Sequence, residues 1–434
     1  MKQTEIGLIP DDWKVEQLNE YFEVGSSKRV FQSQWRKAGI PFYRAREIVI
    51  LSEKNTVENE LFIDESLYNQ FKTLYGVPSV NDLLVTGVGT LGKVYKVQDT
   101  KPFYFKDGNI ICLKNKGLID SDYVKYHFDY SIVKNQINDN SGKSTVGTYT
   151  INSARKTLIP IPPLAEQQRI AKALSDVDAV INTTEKLIQK KKNIKQGAMQ
   201  SLLTGKKRLP GFAATSKFKQ TELGEIPEDW EVKALHDIFE FRPNNTFTRD
   251  NLNDSEGIYQ NIHYGDILIK YPNILDCSKA SIPYVNDNMT VKYSNYGVKE
   301  GDIIIADTAE DETVGKVVEI YNIGKQKLVA GLHTFLCRKI TDDFAPKWLG
   351  YFMNHSIFHD QVLPYITGTK VSAISRGAIQ NLKVFIPSKT EQRAVASVLS
   401  DMDAEIENLS AKLQKYRNLK TAMMQQLLTG KIRL

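Results

Sequence analysis

The chain has 434 residues, 41% of them hydrophobic, enough for two to four domains with real cores. No apolar run approaches the roughly 18 residues of a membrane-spanning helix, and the opening MKQTEIGLIPDDW lacks the basic-then-apolar layout of a signal peptide. Three cysteines without C-x-x-C spacing argue against disulfides and zinc and for a reducing cytoplasm, while a net charge of +6 is too small to identify nucleic acid by itself.

The first motif is TEIGLIPDDW at residues 4–13. Short apolar runs in an aromatic-rich stretch then mark strands up to about residue 160. Residues 81–97 read as a strand, a turn and a second strand, residues 109–114 as a further strand, and residues 121–138 as helix. The turn holds GVGTLGK (87–93), which satisfies both G-x-G-x-x-G and G-x-x-x-x-G-K. A P-loop needs Ser or Thr after the lysine, but Val94 follows, and VYKV continues as a strand where phosphate would need a helix N-terminus. A tight hairpin turn is the preferred reading, with a nucleotide-binding enzyme built on Gly87–Lys93 as the alternative.

After PIPPLAEQQ (160–168) the chain runs from Pro163 to Gly205 without proline, and Gly197 is the only glycine inside. Apolar residues recur in steps of four and three: Ile170, Leu174, Val177, Ile181, then Ile188 and Leu202, with Thr184, Lys191, Lys195 and Ala198 at the intervening positions. That is a coiled-coil seam on a helix of about 40 residues, or about 60 Å. The segment is acidic early (Asp176, Asp178, Glu185), and from residue 186 to 220 it holds ten lysines and arginines and no acid.

Then the chain repeats itself. TELGEIPEDW returns at residues 221–230, 217 positions after its first copy. ALSDVDA (173–179) is echoed by VLSDMDA (398–404), and LLTGK (202–206) by LLTGK (427–431), both at an offset of 225. A period above 200 residues is a duplicated module and not a solenoid unit. Residues 301–320 repeat the strand–turn–strand pattern, residues 333–339 the following strand, and residues 345–362 the helical stretch. IPSKTEQ (386–392) precedes the second seam: Val395, Leu399, Met402, Ile406, Leu409, Leu413, Tyr416, Lys420, Met423 and Leu427. Thr390 with Arg393 makes no capping box. Both long helices run from acidic to basic, which suits the helix dipole and favours antiparallel pairing of one with the other. Two separate surface helices are the simpler alternative.

The two copies match at their edges and diverge in their centres. Residues 22–48 and 239–267 share a frame but little surface chemistry, which suggests two different ligands. His355 and His359 lie four apart on a helix, but no adjoining Glu or third ligand accompanies them, so no metal site is expected. No nucleophile elbow or catalytic loop appears, and no catalytic residue is expected.

IPxxW openings, a DLL or DII strand turning into GKV, a polar glycine loop (SGKST, TGTKV), IPxPPLxEQ and a long helix ending LLTGK together make the whole chain resemble, twice over, the specificity subunit of type I restriction–modification systems. The resemblance implies an α+β fold: two mixed α/β target-recognition domains separated by two long helices forming an antiparallel coiled coil, with a pseudo-twofold internal repeat. The corresponding segments are recognition domain 1 at 1–160, helix 1 at 163–205, a linker at 206–220, recognition domain 2 at 221–387 and helix 2 at 390–429. It implies a non-catalytic reader of a bipartite double-stranded DNA site. It also implies partner modification subunits, usually two, that carry S-adenosylmethionine, and restriction subunits; no cofactor on this chain and no membrane are implied. A coiled-coil scaffold without DNA is the other alternative. The candidate DNA-contacting residues are Lys28, Arg29, Arg36, Arg44, Arg46, Lys143, Ser144, Thr145 and Tyr149 in the first copy. In the second they are Asn244, Asn245, Thr248, Arg249, His263, Tyr264, Thr369, Lys370 and Arg376. Arg and Asn suit base edges, Lys, Ser and Thr suit phosphates, and the basic helix ends suit subunit docking.

Overall fold

The computed structural model describes residues 1–54, 56–58, 60–141, 147–212, 217–368 and 371–434. It divides into two compact units, residues 1–186 with 411–434 and residues 187–410.

The first unit is built on an antiparallel sheet of β1 (Phe22–Gly25), β2 (Leu83–Thr86), β3 (Val94–Lys96) and β4 (Ile110–Asn115), in the order β1-β4-β2-β3. Successive residues of a strand face opposite sides, so one strand feeds two cores. Leu83 and Val85 pack with Phe22 and Val124, while Leu84 packs with Ile48 and Phe105. The second unit repeats the order with β5 (Phe239–Arg242), β6 (Ile274–Asp276), β7 (Ile303–Ala306), β8 (Val317–Tyr321) and β9 (Thr334–Lys339), arranged β5-β9-β7-β8-β6. The extra strand β6 adds to the edge in parallel with β8. Ile303 and Ile305 face one core and Ile304 the other, the same alternation as in β2.

Each unit also carries a small second sheet. Ile40–Tyr43 pairs in parallel with Tyr104–Phe105, and Gln260–Ile262 pairs in parallel with Leu328–Ala330. A short ladder closes each frame: Lys14–Gln17 on Leu158–Ile161, and Glu231–Ala234 on Lys383–Ile386. The turn at residues 87–93 is a hairpin loop whose Gly92 amide donates to the Thr86 carbonyl, and strand β3 follows directly, so it offers no phosphate cradle. The helical stretches expected at 121–138 and 345–362 are each split in two. Ser121–Asp129 and Ser131–Ser141 are separated by extended Tyr130, and Trp348–Phe352 and Ser356–Val362 by residues 353–355, where the His355 ring accepts the Ile357 amide.

The long helices are α1 (Leu164–Leu202) and α2 (Lys389–Leu427). They pair antiparallel as a coiled coil along the expected seams, with Ile170, Leu174, Ile181, Ile188, Val395, Leu399 and Leu413 buried. The lysines interrupting the seams meet carboxylates. In the first unit Lys420 is 2.7 Å from Asp178 and Arg417 is 2.7 Å from Glu185. In the second, Lys191 is 2.6 Å from Glu405, and Lys195 pairs with Asp403. Asp178 also accepts the Tyr126 hydroxyl and Asp403 the Tyr351 hydroxyl, each tyrosine lying under the same lysine.

The module opening, the start of one long helix and the end of the other meet at a corner. In the second unit Arg208 forks onto Glu391 (2.6 and 2.8 Å) and onto Asp229 (2.8 and 2.9 Å), and lies over the Trp230 ring, whose indole N–H donates to Glu391. In the first unit Arg433 forks onto Glu166 and onto Asp12 and lies over Trp13. Thus IPxxW supplies the tryptophan and one carboxylate, the helix start supplies the other, and the residues after LLTGK supply the arginine. Gly205 (φ +70°) and Gly430 (φ +66°) end the helices in the left-handed region, and a Cβ there would strike the ring of Pro227 or Pro10.

Two consequences are measurable. Arg208 and Glu391 are 7% and 1% exposed, so Arg208→Ala strands a buried carboxylate. Denaturant unfolding should show a loss of at least about 3 kcal/mol, and a loss below about 1 kcal/mol would contradict this role for the corner. His127 is fully buried against Tyr123, neither ring nitrogen has a partner among the described residues, and burial pushes its pKa down from 6.5 to about 3. The unfolded chain binds this proton first. The favourable contribution is therefore complete above pH 6.5 and is lost as pH falls toward 3, at up to about 1.4 kcal/mol per pH unit. Phe352 fills the equivalent place in the second unit, so His127→Phe should stabilise the protein at neutral pH and flatten its acid limb. An unaltered slope of stability against pH in that window would refute this.

Candidate nucleic-acid interface

In each unit the same three segments converge at one edge, and two matching backbone hydrogen bonds fix the equivalence, with a third bond made by a different donor in each unit. In the first unit the Lys106 amide donates to the Tyr43 carbonyl, the Gly87 amide to Asn109, and Ser27 Oγ to Phe105. In the second, the Gly331 amide donates to the Ile262 carbonyl, the Asp307 amide to His333, and the Asn245 amide to Ala330. The loop after the first sheet strand, the strand-to-helix junction and the turn before β4 or β9 are thereby held together. The first edge displays Ser26–Arg29, Arg44–Arg46 and Lys106–Asn109, and the second Asn244–Arg249, His263–Tyr264 and Gly331–His333.

The first edge is cationic. Lys28 is exposed above the Tyr75 ring, Arg29 pairs with Asp107 at 2.9 Å and Arg36 with Asp64 at 2.7 Å. Arg44 is fixed by Glu47 at 2.7 Å and Glu60 at 3.1 Å, and these carboxylates hold its pKa above the usual arginine value. Arg46 shares Glu60 at 3.2 Å. The exposed pairs of Arg36 and Arg46 are worth under about 1 kcal/mol, so a phosphate can displace the carboxylate there. Tyr149 does not join this edge: it is 2% exposed and its hydroxyl bonds Thr157 at 2.7 Å, which gives it a packing role.

The second edge is polar and aromatic. Arg249 is half-exposed and pairs with Asp266 at 3.0 Å. Asn244 donates to the Gly331 carbonyl at 3.1 Å, and Thr248 caps a short 3-10 turn. His263 accepts the Gly265 amide at 3.2 Å through Nδ1, and burial pushes its pKa down to about 4, so the ring is neutral and lies tilted against Tyr264 with centroids 4.6 Å apart. Asn245 is buried, bonding Asn261 at 2.7 Å and the Phe247 amide, so it shapes the edge from beneath. Arg376 donates to the Phe241 carbonyl at 2.8 Å and lies over the Phe241 ring, tying the edge to β5. Lys143, Ser144, Thr145, Thr369 and Lys370 lie outside the described residues. Ser26, Ser27, Lys106, Thr308 and His333 belong to these edges and were not singled out in the sequence; their only signal is a place within two residues of a strand terminus.

Two segments, residues 10–196 and 227–415, match the family model of the type I restriction modification DNA specificity domain. A Methanocaldococcus jannaschii protein assigned as the MjaX specificity subunit of a type I restriction enzyme is 29% identical over 100% of this chain and 96% of its own. The MjaVIII specificity subunit of the same organism is 25% identical over 98% and 94%. The S subunit of a type I restriction–modification system from M. genitalium shares the fold, with a TM-score of 0.56 at 14% identity and 98% of both chains covered. With both halves matched, this chain belongs to the type I restriction–modification specificity subunits, which are non-catalytic.

Proposed function

We propose that this chain reads a bipartite duplex DNA site, one half with each recognition unit, and holds the methylating and cleaving subunits on that site. The observation that carries the reading is the edge built twice on matching backbone bonds with different side chains, Arg44 facing the place of His263 and Asn109 that of His333. Lys28, Arg29, Arg46 and Arg249 suit phosphates, which fix register, while Arg44, Asn244 and Tyr264 suit base edges, which carry sequence. One unit contacts only a few base pairs, each worth about 1–3 kcal/mol of discrimination, so two units in series supply the selectivity.

Adenine-N6 methylation falls to separate modification subunits that carry S-adenosylmethionine, and cleavage to restriction subunits. The repeated corners and helix contacts favour two modification subunits per chain, and this chain itself holds no cofactor in this reading. Such a complex works in the cytoplasm.

The test is to co-express the chain with its modification subunit in a host without adenine methylation and map N6-methyladenine. A split, asymmetric motif with a fixed gap is expected, whereas an assembled complex that methylates nothing would favour a scaffold. Inserting four residues at facing positions of α1 and α2 adds about 6 Å and about 40° of rotation, so the gap should lengthen. A gap that stays the same would sink the helices as the ruler.

A further inference from the structure

In the second unit the edge contains a residue with no counterpart in the first beyond its backbone. His333 occupies the left-handed region at φ +55°, a conformation that costs free energy for any side chain but glycine. Its ring is nevertheless 46% exposed, so neither burial nor packing explains why a histidine sits there. The ring is held from three sides. Thr308 Oγ1, nearly buried beneath it, is 3.3 Å from Nδ1, the Asp307 carboxylate is 3.4 Å from the same nitrogen, and the edge of Tyr264 meets it at 5.3 Å.

The hydrogen bonds fix which nitrogen is free. The Thr308 hydroxyl donates to Asp307 at 2.8 Å, so its proton is already used. In the neutral form of the ring Nδ1 then carries the proton, directed at the Thr308 and Asp307 oxygens, and Nε2 is left as an acceptor. Because Thr308 and Asp307 both meet Nδ1, the three residues do not form a nucleophile–base relay, which needs a partner on each ring nitrogen. An acceptor nitrogen beside a carboxylate repels phosphate and suits an amine donor. The donors in the DNA major groove are the exocyclic amines of adenine (N6) and cytosine (N4).

We propose that His333 is a specificity-determining residue of the second recognition unit, accepting a hydrogen bond through Nε2 from the exocyclic amine of an adenine or cytosine in the second half-site. The proposal rests on the DNA-reading function above and deepens it. Gly108–Asn109 occupy this turn in the first unit, with Gly108 at φ +71°, so the frame tolerates the backbone while the side chain differs. Thr308 and Asp307 act as positioning residues that set the tautomer.

The test uses the full chain co-expressed with its modification subunit, and compares adenine-methylation maps of wild type, His333→Gly and His333→Asn. Glycine removes the ring without straining the left-handed backbone, and asparagine tolerates that backbone while shortening the reach. The expected result is an intact first half-site and gap, with discrimination lost about tenfold or more at one position of the second half-site only. A motif unchanged in both variants, or a loss spread evenly over both half-sites, overturns the assignment. Failure of the wild type to methylate any bipartite motif would instead overturn the broader DNA-reading function, so the two outcomes are separable.

Discussion

The frame of this protein depends on one interaction made twice: an arginine forked between two carboxylates over an indole ring. Arg208 joins Asp229 and Glu391 above Trp230, and Arg433 joins Asp12 and Glu166 above Trp13. Each corner draws together three segments: a module's opening, the end of one long helix and the start of the other. A planar guanidinium satisfies two carboxylates at once, which a lysine could not do with the same geometry. Charge-assisted bonds on a mostly buried Glu391 also lock the helix start against the module opening. Once each corner is closed, the ladders at Lys14–Gln17 and Glu231–Ala234 and the helix contacts at Asp178 and Asp403 follow in fixed register.

That frame separates stability from recognition. The corner residues recur at an offset of 217 or 225, and the inner faces of the sheets are apolar in both units. The edges that close around Tyr43 and Ile262 share two backbone hydrogen bonds but differ in chemistry: arginines and lysines in one unit, histidines, tyrosine, asparagine and Arg249 in the other. A reading surface borne on backbone bonds can change its side chains without disturbing the core beneath. Tyr149 and Asn245 mark the boundary, since both lie beside the edge in sequence yet spend their polar atoms inside the fold.

The large-scale architecture was legible from the chain because its signals are periodic. The repeat gave the two modules, and the four-three spacing gave the coiled coil with the correct partner faces. The corner arginines were visible as a repeat at positions 208 and 433, but their role was not, because nothing local ties an arginine after one helix to a tryptophan of another segment. Helix breaks at Tyr130 and His355 were missed, since a single extended residue leaves no glycine or proline in the sequence. Ser388, whose hydroxyl accepts the Glu391 amide at the start of α2, was hidden by a search centred two residues later. Most of the described candidate residues fall on the loops that converge at these edges, but Tyr149 and Asn245 turn their side chains inward. Burial decides whether an asparagine or tyrosine faces out, and burial is set by partners distant in sequence. His333 escaped for that reason: its exposure depends on Thr308, Asp307 and Tyr264, which only the fold assembles.

The central claim is that a common frame carries two exchangeable readers. The most direct measurement replaces residues 18–157, bounded by the first ladder, with residues 235–382, bounded by the second, and maps adenine methylation by the resulting complex. If the frame and the readers are separable, both half-sites become the wild-type second half-site and the gap between them persists. A folded, assembled chimera that keeps the original first half-site would contradict the account.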